Sequence, residues 1–355
     1  MIYFHNDYSE GCHAKVLEAL TRTNLEQTPG YGTDDYCKEA AALIAKACGR
    51  EDLKVHFLVG GTQANLTVIA AALRPYQAAV CAVSGHINVH ETGAVEATGH
   101  KVLGLPSADG KITAKQVRDL VAAHRANDSF EHENQPKMVY ISNPTEFGTT
   151  YTLNELTALS DMCRKHKLYL FVDGARLGYA LTSDNYDVTL ADLARLTDVF
   201  YIGGTKCGAL FGEAIVISSP AIAEDFRYMI KQRGGMLAKG WLLGQQFEAL
   251  LENDLYFEIC RQADVQADKL RRTLTELGCN IVCPNKTNQV FVTLPNAVLQ
   301  ELRKEFTFAT WSYESGEHTT VRFCTSWATR PESVDALCDA LRRLIQLEER
   351  GECFA

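Results

Sequence analysis

The chain has 355 residues, 46% of them hydrophobic and 22% charged, with a formal net charge of −9. That is the composition of a soluble globular protein long enough for two or three domains, and it excludes a disordered, collagen-like or low-complexity chain. With 44 acidic against 35 basic residues, and the two signs interspersed, no broad nucleic-acid-binding face is expected.

The first residues, Met1 to Asp7, contain neither a basic run nor an apolar signal core. No apolar stretch approaches the roughly 18 residues of a membrane span, so a protein that does not enter a membrane is expected. Twelve cysteines are dispersed along the chain. Cys279 and Cys283, the closest pair, have no second Cys or His pair at zinc spacing. No metal site is therefore expected, and buried thiols in a reducing cytoplasm are.

In chain order, Val55–Val59 reads as a strand and Gln63–Leu73 as a helix. Ala79–Val83, Lys101–Leu105 and Met138–Ile141 follow as strands, with a polar, solvated loop over His124–Pro136. A helix over Leu153–His166 opens on Thr152-x-x-Glu155, a capping box that satisfies free backbone N–H groups. It carries Leu153, Leu156, Leu159 and Met162 at helical spacing. Leu168–Val172 and Val199–Ile202 are further strands. Near-continuous apolar strands separated by helices predict an α/β unit, a parallel sheet covered on both faces. After Ser218 long helical patterns run from Ala238 to Gly278, short strands surround Val290–Val292 and Val321–Phe323, and an amphipathic helix covers Pro331–Leu347. This predicts a large domain over residues 1–245 and a smaller α+β domain over residues 246–355.

Ligands of open α/β sheets sit outside the carboxyl ends of the strands, and three such ends carry pointed chemistry. At Gly60-Gly61-Thr62-Gln63 a strand turns directly into a helix, which is either a tight turn or a phosphate cup at a helix N-terminus. Asp173 ends a strongly apolar strand and needs a partner, either Arg176, a helix N-terminus or a cation in the cleft. Lys206 sits among glycines after a buried strand, either reaching solvent or held as a nucleophilic amine. Taken together, in this order, an anion site, a carboxylate and an amine are what pyridoxal phosphate needs for its phosphate, its ring nitrogen and its aldehyde.

Five motifs then carry a resemblance: Gly30-Tyr31-Gly32-Thr33-Asp34, Gly60-Gly61-Thr62-Gln63-Ala64-Asn65, Gly85-His86 with Glu91, Asp173-Gly174-Ala175-Arg176, and Thr205-Lys206-Cys207-Gly208. In their order and spacing the chain resembles the threonine aldolase and β-eliminating lyase family, fold-type-I pyridoxal-phosphate enzymes of the aspartate aminotransferase superfamily. The resemblance covers nearly the whole chain. It implies a mostly parallel seven-stranded sheet in the large domain. It implies that Lys206 forms the Schiff base and that Asp173 keeps the pyridine nitrogen protonated. Gly61, Thr62 and Gln63, together with Thr205, are expected against the cofactor, with His86 stacked on its ring. Arg176 and Arg322 are expected to bind the carboxylate of a small amino-acid substrate, since a planar guanidinium bonds a carboxylate bidentately. A homodimer or homotetramer with interfacial sites is implied, and Lys231–Met236 resembles the basic loop that reaches a neighbouring subunit.

Two segments depart from the family pattern. Where aldolases begin Arg-Ser-Asp-Thr, this chain reads His5-Asn6-Asp7-Tyr8-Ser9, so Asn6 or Ser9 stands in for the substrate-binding serine. Where they carry a second active-site histidine, it reads Ser142-Asn143-Pro144-Thr145-Glu146-Phe147. The expected reaction is cleavage of threonine or allo-threonine to glycine and an aldehyde, with His86 or Glu146 as the base at the β-hydroxyl. The alternatives are β-elimination from another amino acid on the same cofactor, and a non-catalytic α/β protein that binds a ligand or partner.

Overall fold

The computed structural model describes residues 1–351, apart from the side chains of 313–315. Strands are numbered along the chain. After a short β1 (Ile2–Tyr3) come β2 (Lys54–Leu58), β3 (Gln77–Ala82), β4 (Lys101–Leu105), β5 (Gln135–Ser142), β6 (Tyr169–Asp173), β7 (Val199–Gly203) and β8 (Glu213–Ile217). The last seven form one sheet in the order β2-β8-β7-β6-β5-β3-β4. The pairs from β7 through to β4 are parallel, whereas β8 lies antiparallel between β2 and β7. The connection from β7 to β8, residues 204–212, carries Lys206 and is too short for the crossover that parallel pairing requires.

Alternate side chains of each strand enter opposite cores, as the pleat dictates. Leu170, Val172, Phe200 and Ile202 pack on one face with Leu156, Leu159 and Met162 of the helix Leu153–His166. Phe171, Val199 and Tyr201 pack on the other with Ala64, Val68 and Ile69 of the helix Gly61–Ala72. Thr152 and Glu155 form the expected capping box, at 3.2 and 2.9 Å.

The helical stretch beyond residue 238 resolves into Trp241–Leu251 and Leu255–Glu276. Asn253 and Asp254 break it with φ of +54° and +60°, a left-handed conformation that Asn and Asp tolerate better than most residues. The second helix is shared between cores: Ile259, Cys260 and Ala263 belong to the large unit, and Ala267, Leu270 and Leu274 to the small one. The position expected for the boundary, residue 245, falls inside the preceding helix, where Phe247 and Leu250 are still in the large core.

The smaller C-terminal domain holds β9 (Asn280–Val282), β10 (Gln289–Pro295), β11 (Phe306–Thr307), β12 (Ala309–Ser315) and β13 (His318–Cys324). Four of them make an antiparallel sheet ordered β12-β13-β10-β9. The helix Pro331–Glu349 covers it with Leu337, Leu341 and Leu344. The N-terminus is stitched to this domain: β1 pairs with β11, and Phe4 enters its core. That carries residues 5–9 across to the carboxyl ends of the large sheet. Among the described residues no helix is long and apolar enough to cross a membrane.

Candidate active site

A cavity of about 300 Å3 opens where β2, β5, β6 and β7 end and β8 begins. Gly61, Thr62, His86, Glu146, Asp173, Arg176, Thr205 and Lys206 all line it, so eight of the expected residues meet in one place. Burial against the sheet excludes water from the charged groups at its floor, which strengthens every electrostatic interaction there.

Gly60 precedes the helix Gly61–Ala72 and has no side chain to cap it, so the first-turn N–H groups are left without a capping partner at the cavity wall. A Cβ on Gly61 would lie 3.0 Å from the Tyr201 hydroxyl, so glycine keeps that corner open. Gly174 is required more strictly, because a Cβ there would come within 1.8 Å of the Tyr201 carbonyl. It lets the chain leave β6 beside β7, and so sets Asp173 against the Lys206 loop.

Asp173 is buried and keeps its charge. Its Oδ1 accepts from the Ala175 N–H at 3.0 Å; its Oδ2 accepts from Asn65 Nδ2 at 3.1 Å and from the Tyr140 hydroxyl. Burial works to raise its pKa, but His86 and the hydrogen bonds from Tyr140 and the Ala175 N–H outweigh it and hold the group below the ordinary carboxylate value. Asn65 also donates to Glu91 Oε1 at 2.7 Å. Glu91, its side chain fully enclosed, in turn holds His86 Nδ1 at 2.7 Å. This fixes the imidazole with its proton on Nδ1 and leaves Nε2 as the free ring nitrogen.

Glu146 lies beside them, its Oε1 accepting from Ser142 Oγ at 2.7 Å and from the His86 backbone N–H at 2.9 Å. Burial pushes its carboxyl above the ordinary range, with the neighbouring Asp173 charge acting in the same direction. Lys206 is fully buried, and its pKa is lowered by desolvation and by the Arg176 charge. Asp7, Asp173 and Glu213 act in the opposite direction.

Arg176 is committed in part. Its Nε and Nη2 bond the two oxygens of the buried Asp7 at 2.7 and 3.0 Å, and Asn288 Nδ2 adds a third donor to Asp7 at 2.9 Å. Burial opposes the Arg176 charge, but Asp7 more than compensates and fixes it as a cation.

Four expected residues are not brought into the cavity wall. Gln63 turns back to accept from the Val59 N–H and to donate to the Arg233 carbonyl, at 3.3 and 3.2 Å, tying down the 231–236 loop. Asn6 and Ser9 bond each other at 3.0 Å in a turn that presents Tyr8 to the cavity instead. Arg322, on β13, donates to Gln289 Oε1 and to the His5 carbonyl, each at 3.1 Å, and its Nε is buried without a partner. The residues not foreseen are Asp7, Asn65, Tyr140, Tyr201 and Glu213. The charged residue opening the otherwise apolar run Glu213–Ile217 was a visible signal; the others act through contacts that no local pattern announces.

The sequence profile of the Beta-eliminating lyase family matches residues 7–297. The chain is 31% identical over 347 residues to a low specificity L-threonine aldolase of Pseudomonas aeruginosa, covering 96% of each. Among solved structures, a Leishmania major threonine aldolase superposes with a TM-score of 0.95 at 45% identity, covering 97% of this chain and 100% of that one. A Thermus thermophilus aspartate aminotransferase, at 17% identity and a TM-score of 0.71, shares the fold over 97% of this chain and 91% of its own.

Proposed function

The chain belongs to the beta-eliminating lyase family, and we propose that its cavity binds pyridoxal phosphate and cleaves a β-hydroxy-α-amino acid of the threonine or allo-threonine type to glycine and an aldehyde. One observation carries the reading: the buried Lys206 amine shares a cavity with the buried, charged Asp173 and the uncapped helix start at Gly61 and Thr62. The amine, the carboxylate and the helix N–H groups suit the cofactor's aldehyde, ring nitrogen and phosphate in turn. The Tyr201 hydroxyl, buried without a hydrogen-bond partner, is a further group that a ligand in this space would satisfy.

Bound there, pyridoxal phosphate supplies an aldehyde for the substrate amine and a ring that accepts the electrons released when Cα–Cβ breaks. Lys206 holds the aldehyde carbon, and its lowered pKa favours the neutral, nucleophilic amine. Asp173, ionised by its hydrogen bonds, holds the proton on the ring nitrogen. Thr62 offers its hydroxyl to the phosphate beside the N–H groups of Gly61 and Thr62, whereas the Thr205 hydroxyl, which lines the same cavity, gives its proton to Glu213. His86, clamped by Glu91, covers the ring. Arg176 takes the substrate carboxylate through Nη1, and Arg322, which lies outside the cavity wall, is the second guanidinium proposed for it, through its unpartnered Nε. Glu146 removes the β-hydroxyl proton: its raised pKa brings it towards the working pH, where a general base is most effective. A homodimer or homotetramer completes the site, and Tyr8 and Leu210, exposed at 54% and 43% near Lys206, are the apolar side chains it would cover. The proposed setting is the cytoplasm, where the twelve cysteines stay reduced.

Borohydride reduction of the cofactor-loaded protein followed by peptide mass spectrometry tests the assignment. A pyridoxyl group on Lys206 is expected; its attachment to another lysine would remove Lys206 from this role.

A further inference from the structure

Glu213 opens β8 directly opposite Gly203 at the end of β7 and lines the same cavity as Lys206, yet nothing in the proposed reaction uses it. Its residue is 3% exposed. One carboxylate oxygen accepts from Thr205 Oγ1 at 2.9 Å and the other from the Gly204 N–H at 3.2 Å. Thr205 Oγ1 in turn accepts from the Gly212 N–H at 3.0 Å. The carboxylate therefore clasps the two residues immediately before Lys206 and closes the 204–212 loop on itself. A buried carboxylate normally finds a cation, but no Lys, Arg or His nitrogen among the described residues lies within ion-pair distance of this one.

The charges around Lys206 sort by what each is already bound to. Arg176 and Asp7 neutralise each other through two hydrogen bonds. Asp173 is committed to Asn65 and Tyr140, and under the proposed function to the ring nitrogen. Glu213 is the carboxylate left without a cationic partner. The groups that face it electrostatically are Lys206 and Asp173, together with the hydroxyls of Tyr201 and Tyr256. Neither tyrosine competes for its proton, since burial raises both phenols well above their ordinary value.

We propose that Glu213 is a positioning residue for the catalytic lysine, holding the Gly204–Thr205 backbone in place and supplying the buried negative charge that keeps a proton on the Lys206 nitrogen once that nitrogen is linked to the cofactor. Burial, with the Asp173 charge, pushes its pKa up and the Lys206 charge acts the other way, leaving it at about 8; its negative charge therefore develops as the pH rises through that value, linked to the ionisation of the lysine. A negative charge beside a nitrogen cation raises the pKa of that nitrogen, and removing the charge lowers it. This inference rests on the assignment of pyridoxal phosphate to Lys206, where the proton on the linked nitrogen determines how readily a substrate amine attacks.

The experiment is a pH titration of the visible absorbance of the cofactor-loaded protein, in the parent and in Glu213→Gln. Glutamine keeps the shape and an acceptor oxygen but loses the charge. The midpoint is expected to fall by about one pH unit, a tenfold change in proton affinity. Glu213→Asp, which restores the carboxylate one methylene further back, is expected to recover part of that shift. If the glutamine chain fails to load cofactor, Thr205→Val provides the second arm. It removes the hydroxyl that stabilises the Glu213 charge, and the midpoint is again expected to fall. An unchanged midpoint in whichever variant loads cofactor overturns the role of Glu213 while leaving the cofactor assignment standing. A parent protein with no visible band after reconstitution would instead overturn the assignment on which the inference rests.

Discussion

Asp7→Asn is expected to cost far more than an isosteric change at an N-terminal turn ordinarily does. Asp7 is 0% exposed and accepts three hydrogen bonds, two from Arg176 and one from Asn288. Asparagine offers one acceptor oxygen, and its amide nitrogen then faces donors. At least one of the three bonds is lost, and the buried Arg176 keeps its charge with no counter-ion. Breaking a buried pair by removing one partner costs about 3–5 kcal/mol, and the surviving acceptor places this case near the lower end. Against a total stability of about 5–15 kcal/mol, that is a loss easily seen as a lower urea midpoint at unchanged slope. The pH dependence carries a sign as well. Burial opposes the Asp7 charge, but Arg176, and after it Lys206, hold its folded pKa below the ordinary 3.8. Its contribution is therefore fully present above about 3.8 and disappears as pH falls through the lower folded value. The gap between parent and variant should be flat from about pH 5 to 8 and close in acid. A loss below about 1 kcal/mol at neutral pH would refute the claim that Asp7 is the obligatory counter-ion of Arg176.

Glu146→Gln is expected to load cofactor and bind substrate normally but to lose roughly 10²–10⁴-fold in kcat, the usual worth of a general base. Because burial raises its carboxyl, the parent should show an acid limb in kcat above the ordinary 4.5, and the variant should lack it; a variant with the parent's pH profile would exclude Glu146 as the base. Arg322→Lys keeps the charge but loses the planar fork, and should raise KM by the equivalent of about 1–3 kcal/mol while cofactor affinity stays constant. An unchanged KM for every amino acid accepted would remove Arg322 from the substrate site.

The large sheet was legible because its strands are buried on both faces and read as unbroken apolar runs; β6 and β7 fall within a residue or so of the segments expected from the pattern. Asp173 and Lys206 were legible because charged residues stood at the ends of such strands, where an α/β sheet presents its ligands. Glu146 was legible only by its place in a family motif, and its burial comes from the packing of Ser142 and His86 around it. Asp7 was not legible as a site residue, since its partner lies 169 residues away and the two-residue strand that carries the N-terminus across is too short to leave a pattern. Asn65 sits in the middle of a helix and looks like an ordinary polar position until Glu91 and Asp173 converge on it. Gln63 shows the converse: it lies beside two cavity residues in sequence, but the helix carries its side chain round to Val59 and Arg233.

The central claim is that this cavity breaks Cα–Cβ, and the products distinguish that from every alternative. Cofactor-loaded protein incubated with threonine is predicted to yield glycine and acetaldehyde in equal amounts. Ammonia and 2-oxobutanoate, with no glycine, would show instead that a proton is removed at Cα and the β-substituent expelled, and would contradict the aldolase assignment.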